Sequence, residues 1–381
     1  MRGRAMRASV TLGLTGFALI AVTYGMARFA WGLMLPAVVR DIPFSPRLAG
    51  VISACGFVAY CLAVIGASVV SPRCGPRLPA MAAALCAAAG LLILAASSSP
   101  AMLAAGLFIA GLSPGLASPS LAAAVGRRVA VPQQPRVNTI INAGTGAGII
   151  LSVPVLLFLP GGWRAACLLF GGVALACLAP IAGYLPAGGV APQMKNKRPP
   201  VWPMARPLVR LVVIAFISGV ASAAWWNFGP DLLHHHIGVD DNTTSLLWLI
   251  SGGAGILGAL TGPASTIVGL KQVYRLSQLF MAAPLILLAF SHGFSWWLLP
   301  AVALCGVGYV TLTGVMLVCG AASTKASPAA GVGAVFFMLA AGQVAGSVVF
   351  GLLYAQVGAV TALALFSALS LLLMKFTPAT R

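Results

Sequence analysis

Arg28 is the residue whose type and position most demand a chemical explanation. It lies slightly past the middle of an apolar run over 11–39, where a charge costs about 2.5–3.5 kcal/mol on insertion scales. Its neighbours at helical spacing are Tyr24, Gly25, Trp31 and Gly32. That face offers a hydroxyl, an aromatic wall and open space beside a guanidinium. The rigid fork of donors on Arg suits a carboxylate or phosphate gripped at two points. The chain has no Glu, and its only Asp residues are Asp41, Asp231, Asp240 and Asp241, none at the depth of Arg28. The counter-ion expected of Arg28 is therefore an anionic group on a solute. The alternative is a structural arginine that caps carbonyls at a helix break or snorkels outward.

The other groups able to do chemistry are few. Asp231 follows Pro230 at the end of a second apolar run, where it could gate or exchange protons; the plainer reading is an acid solvated at the interface. His234, His235 and His236 follow it, and with Asp240 and Asp241 they have the donor types of a divalent-metal site. Three successive His point in different directions on a helix, so a solvated loop is expected and no metal site. Asn142, Asn227 and Gln343 sit inside apolar runs and offer both donor and acceptor to a solute, and Tyr309 offers a hydroxyl. Trp225 and Trp226 lie mid-run, too deep for an interfacial belt, so at least one is expected to line a cavity. Trp163, Trp202, Trp296 and Trp297 lie at run ends and read as interfacial anchors. The eight Cys form no CxxC pair and read as free thiols. No Walker loop and no Ser/His dyad occurs, and HExxH is impossible without Glu. No enzyme activity and no cofactor are expected.

These residues must be positioned by helices in lipid. Of 381 residues, 60% are hydrophobic and 7% charged, against about 25% charged in soluble domains. A crossing helix needs about 20 apolar residues. The runs divide into twelve spans, over 11–39, 48–70, 78–97, 101–124, 137–159, 164–185, 209–233, 244–268, 273–291, 296–320, 329–354 and 357–376. The expected fold is an all-α integral membrane protein with twelve transmembrane helices. The first run, though preceded by Arg2, Arg4 and Arg7, is too long for a signal peptide and reads as an uncleaved span.

The net charge of +18 sits in short clusters between runs rather than on one amphipathic face, which argues against nucleic acid. Alternate loops carry nearly all of it. If the N-terminus is cytoplasmic, one side holds Arg73, Arg77, Arg127, Arg128, Arg136, Lys271, Arg275 and both termini, and the other only Arg40, Arg47 and Arg164. All four Asp fall on that second side. The positive-inside rule then places both termini in the cytoplasm.

The Pro- and Lys/Arg-rich stretch 186–207 separates two pseudo-symmetric halves, six spans over 1–185 and six over 208–381, and reads as a cytoplasmic linker. A shift of 194 residues places Pro36 on Pro230, Gly75 on Gly269 and Arg77 on Lys271. Gly144 and Gly148 correspond to Gly342 and Gly346 at a slightly larger offset. Two parallel six-span repeats mark a secondary transporter built around a central cavity. The Gly patterns permit close helix contact.

With these features the chain resembles the major facilitator superfamily over essentially its whole length. The family's loop between spans two and three, Gly-x-x-x-Asp-Arg-x-Gly-x-Arg, is similar to Ser68-x-x-x-Pro72-Arg73-Cys74-Gly75-Pro76-Arg77 and to Gly262-x-x-x-Thr266-Ile267-Val268-Gly269-Leu270-Lys271. Gly-Trp-Arg-Ala at 162–165 is also typical, and the stretch Tyr24 to Phe29 resembles a bacterial branch of the YbfB/YjiJ type. The signature acid is Pro72 in one copy and Thr266 in the other. The resemblance implies a monomeric carrier in a bacterial inner membrane, working by alternating access on a small solute. It also implies gating roles for Arg73, Gly75, Arg77, Gly269 and Lys271. An organic anion or zwitterion with an apolar body is the favoured solute, with proton coupling left open. The alternatives are an exporter of neutral or cationic compounds, and a transport-dead sensor or scaffold. A reporter that matures only in the cytoplasm is expected to be active when fused after Arg381 and inactive when inserted in 238–243. The reverse pattern contradicts the orientation.

Overall fold

Apolar segments broken only by Gly and Pro satisfy their backbone groups in lipid by forming helices, whose hydrogen bonds close within the segment. The computed structural model describes residues 2–130, 133–188, 206–323, 328–376 and 378, and every regular element among them is helical. Among the described residues, ten helices are long and apolar enough to cross a membrane: Ser9–Asp41, Pro46–Ala67, Arg77–Ala95, Pro100–Arg128, Ile140–Phe158, Gly162–Tyr184, Pro207–His236, Leu270–Ala289, Leu298–Gly320 and Gly331–Leu373. Large apolar side chains such as Leu62, Leu85, Leu151 and Leu169 point outward, as lipid contact requires.

Two places depart from a simple count. The last helix is interrupted at Gly358, with φ 80° and ψ 172°, at the start of predicted span twelve. Span eight, expected as one helix over 244–268, forms three pieces: Asp241–Ala254, a 3-10 segment Gly255–Leu260, and Thr261–Val268. Its start is fixed by Asp240, whose carboxylate accepts from the Thr243 N–H at 2.9 Å and the Thr243 hydroxyl at 2.7 Å. Those bonds hold the exposed Asp240 carboxyl below its ordinary range.

The chain packs as two compact units, Met1–Met34 with Cys55–Asn196, and Leu35–Ala54 with Lys197–Arg381. The end of span one and the start of span two thus group with the second unit rather than with 1–185. The predicted linker lies outside the described residues except for 186–188 and 206–207.

Within each unit the helices meet at glycines. In the first, Gly144 and Gly148 of span five lie against the carbonyls of Phe17 and Ala21 in span one, and Gly25 lies against the backbone of Gly148. In the second, Gly342 and Gly346 of span eleven lie against Phe216 and Val220 of span seven, and Gly219 against the Leu339 carbonyl. A second crossing repeats likewise. Gly111 of span four meets the Gly56 carbonyl of span two, and Gly306 of span ten meets the Ser251 carbonyl of span eight. The register differs from the 194-residue shift seen in the loops. It is 195 residues for Gly56/Ser251 and Gly111/Gly306, and 199 for Phe17/Phe216 and Ala21/Val220. The signature glycines also correspond: Gly75 has φ 76° and Gly269 φ 85°, a region that favours glycine.

Because a Cβ at these crossings would meet backbone, Gly111→Val and Gly306→Val should each destabilise the protein by about 1–3 kcal/mol. Gly172→Ala, where a Cβ meets nothing within 4 Å, should not. Thermal unfolding in detergent micelles measures the difference. Equal melting temperatures for all three variants would contradict this packing.

Candidate functional site

In the first unit Arg28 lies in a π-helical segment, Ala21–Phe29, closed by the Ala30 N–H bonding the Gly25 carbonyl. Such segments are rare and recur at functional sites. The wider turn changes which residues share its face. The guanidinium carbon lies 4.4 Å from the centre of the Phe57 ring, 4.6 Å from Tyr60, 5.4 Å from Phe29 and 5.7 Å from Tyr24. Aromatic faces attract a cation within about 6 Å, more strongly where water is excluded. The Tyr24 hydroxyl is 2.8 Å from the Ser118 hydroxyl, and the Tyr24 and Tyr60 rings meet edge to face at 6.3 Å. The open space expected at Gly25 is not there: Gly148 fills it. Trp31 is buried, and Asn142 is exposed.

In the second unit several expected residues come together. A narrow cleft with about 230 Å³ of empty volume is lined by Ala221, Ser222, Trp225, Trp226, Met281, Leu285, Cys305 and Tyr309. The Trp225 indole N–H donates to the Ser251 hydroxyl at 2.9 Å, and the Trp226 ring lies 5.3 Å from Tyr309. Trp248, fully buried, packs 5.6 Å from both indoles. The Gln343 amide donates to the Tyr309 hydroxyl at 3.1 Å and to Ser222 at 3.4 Å. Asn227 donates to the Ser347 hydroxyl at 2.6 Å, and Ser347 in turn to the Gln343 carbonyl at 2.6 Å. Polar contacts therefore run from Asn227 through Ser347 to the Gln343 backbone, and from the Gln343 side chain to Tyr309. In the register of the helix crossings Asn227 is the counterpart of Arg28, each seven residues beyond an equivalent contact at Val220 or Ala21.

Asp231 lies one turn beyond Asn227 and is not a solvated interfacial acid. It is 8% exposed, and its carboxylate lies 2.9 Å from the His235 Nδ1. The three His form no loop but a π-type turn, Leu232–His236, and each has its own partner. His234 Nδ1 is 3.1 Å from the Val239 carbonyl and 3.2 Å from Asp241; His236 Nε2 is 3.1 Å from the Ala289 carbonyl. Arg40 pairs with Asp241 at 2.9 Å.

At the opposite ends of the spans, Arg77 donates to the Leu185 carbonyl at 2.9 Å, at the C-terminus of span six, as helix carbonyls favour. Arg127 donates to the Gly188 carbonyl at 2.6 Å, against which Gly75 also packs. Lys271 is exposed, and the Arg73 side chain lies outside those described. Trp163, expected as an interfacial anchor, is instead buried, with the Arg164 guanidinium 4.2 Å from its ring. Trp296 and Trp297 are exposed, and Trp202 lies outside the described residues.

Sequence reasoning passed over Phe57, Ser347 and Trp248. Phe57 and Tyr60 are three apart, so one helical face carries both rings toward Arg28, but aromatic pairs at that spacing are common in any apolar helix. Ser347→Ala leaves the buried Asn227 amide without its acceptor and should cost about 1–3 kcal/mol. Unfolding midpoints for Ser347→Ala and Asn227→Ala check this. An unchanged midpoint for Ser347→Ala would show that the bond is not held in the folded state.

The family model described as Major Facilitator Superfamily matches residues 17–220. No curated protein matches the chain. Among solved structures, a variant of the nucleoside transporter NupG is similar with a TM-score of 0.78 at 14% identity, covering 96% of this chain and 98% of that one. A POT family transporter in complex with 5-aminolevulinic acid has a TM-score of 0.78 at 13% identity, covering 97% and 95%. A peptide transporter POT variant in complex with sulfate has a TM-score of 0.77 at 14% identity, covering 97% and 96%. At such identities the likeness establishes the fold. The family match over more than half of the chain, on a scaffold of long apolar helices, makes this protein a member of the Major Facilitator Superfamily, a multi-pass membrane transporter and not an enzyme.

Proposed function

We propose that this protein is a secondary transporter of a small organic anion or zwitterion with an apolar body, moved by alternating access across a bacterial inner membrane. It works as a monomer with both termini cytoplasmic, and 186–207 links its halves 1–185 and 208–381. One observation carries the reading. A permanent cation stands mid-span among four aromatic rings, in a unit whose sequence contains neither Asp nor Glu. The planar fork of a guanidinium matches a planar acceptor such as a carboxylate. Tyr24, Trp31 and Asn142 contribute from the same unit. Trp225, Asn227, Tyr309 and Gln343 supply aromatic surface and neutral hydrogen-bonding groups for the body of the solute. Arg73, Gly75, Arg77, Gly269 and Lys271 serve the movement of the inner loops.

A second reading rests on the cluster of Trp225, Trp226, Trp248 and Tyr309, since aromatic walls also receive neutral and cationic compounds. Flux in proteoliposomes over a panel of anionic, neutral and cationic solutes separates the two. Arg28→Lys keeps the charge, loses the fork and should weaken anion uptake. Arg28→Ala removes a charge-assisted contact of about 1.5–3 kcal/mol and should reduce uptake roughly ten- to hundredfold. The protein still inserts, because removing an intramembrane charge relieves its insertion cost. Undiminished anion uptake by Arg28→Ala returns Arg28 to a structural role. No flux of any solute by the wild type favours a sensor or scaffold.

A further inference from the structure

We propose that Asp231 and His235 form a proton-exchange site at the end of span seven predicted to face away from the cytoplasm, with His235 passing protons from water to the buried Asp231. The argument starts from burial. Asp41, Asp240 and Asp241 are exposed, whereas the Asp231 side chain is 12% exposed. A carboxylate in that setting is costly unless it is neutralised or paired. Its partner His235 lies 2.9 Å away, with a side chain 44% exposed that meets both the carboxylate and water. An imidazole placed that way is suited to carry protons.

The transfer balances without any further reactant. Neutral His235, donating through Nδ1–H to Asp231 Oδ1, takes a proton from water at Nε2. The imidazolium then gives its Nδ1 proton to Oδ1. The ring is left neutral with Nε2–H, and Asp231 becomes an uncharged carboxylic acid that donates back to Nδ1. One proton has entered and one buried charge has been removed.

The surrounding charged and titratable groups come from every neighbouring element. Tyr354 of span eleven places its hydroxyl beside Asp231. Arg40 from the end of span one acts electrostatically on His235 and pairs with Asp241 at the start of span eight. His234 stacks edge to face on His235 at 4.7 Å and also contacts Asp241. His236 turns away, toward His292 and the Ala289 carbonyl. Arg40 and His234 thus share the exposed Asp241, while Asp231 is bonded by His235 and by the Tyr354 hydroxyl. One turn further into the span, Asn227 begins the polar chain through Ser347 and Gln343 to the cleft. A change of charge at Asp231 therefore lies next to groups proposed to hold the solute.

The composition makes this directly testable. With four carboxylic side chains and four His in the whole chain, the protonated-carboxyl stretch can be followed by infrared spectroscopy on the full-length protein in lipid vesicles during pH steps. The wild type should show a carboxyl band that titrates apart from the exposed acids and disappears in Asp231→Asn. In His235→Gln, which keeps a polar side chain that does not titrate, the band's midpoint should move by about one pH unit or more. Its rise after an acid jump should slow about tenfold or more. Tyr354→Phe should keep the shift that His235→Gln produces. If Asp231→Asn fails to assemble, the comparison of wild type with His235→Gln decides alone. A band that keeps both midpoint and rate in His235→Gln, or that titrates together with the exposed Asp residues, overturns the proposal.

Discussion

Backbone contact between helices is the constraint on which the remaining structure depends. Two apolar helices in lipid gain nothing by hiding from water, so their association rests on close packing and a few polar contacts. Gly144 and Gly148 against span one, and Gly342 and Gly346 against span seven, bring carbonyls to where any side chain would stand. That fixes the rotation of spans one and seven. Arg28 and Asn227 each lie two turns along from an equivalent contact, so the crossing sets where both stand. The π segment over Ala21–Phe29 begins at the Ala21 contact, so the guanidinium is presented by a widened turn held rigid by its neighbour.

A second constraint is how so many cations are accommodated with so few acids. Arg77 and Arg127 donate to backbone carbonyls near the end of span six. Arg164 donates to the Ser97 carbonyl at 3.1 Å and stacks on Trp163, and Arg28 stands among rings. Carbonyl dipoles and π faces do here what carboxylates do in proteins with a balanced composition. Pro72 and Thr266, where the family signature has Asp, fit that pattern. Among the described residues, Arg77, Arg127 and Gly75 converge on the Leu185 and Gly188 carbonyls, which lie next to or within 186–207.

The fold was legible in the sequence because the signals that specify it are additive. Span length, apolar composition and the recurrence of Gly144/Gly148 as Gly342/Gly346 each report on many residues at once. What escaped was local winding. The 3-10 segment at Gly255–Leu260 and the two π segments change hydrogen bonding without changing composition, so periodicity cannot register them. The site was legible as an inventory and not as an arrangement. Arg28, Trp225, Asn227, Tyr309 and Gln343 could be named because polar or large groups are rare at such depth. Their partners Phe57, Trp248 and Ser347 could not, because an aromatic or a serine in a membrane helix is ordinary until a neighbour gives it a role. The surroundings of Gly25 were misjudged for a related reason. An absent side chain reads as open space in a sequence, whereas in a packed membrane protein it marks where another backbone passes.

The two repeats keep one scaffold and divide the chemistry. At the registered position the first unit has a permanent charge and the second an amide already engaged with Ser347. The first unit has no acid in its sequence, and the second holds all four. Duplicated helix crossings tolerate this divergence because they are made of glycine and carbonyl, which impose nothing on residues a turn or two away. Each half could then acquire its own function without unpacking: a fixed cation among rings in one, and in the other a neutral polar chain ending one turn from the buried Asp231. The pseudo-symmetry therefore resides in the packing, and the chemical difference between the units in where the sequence breaks it.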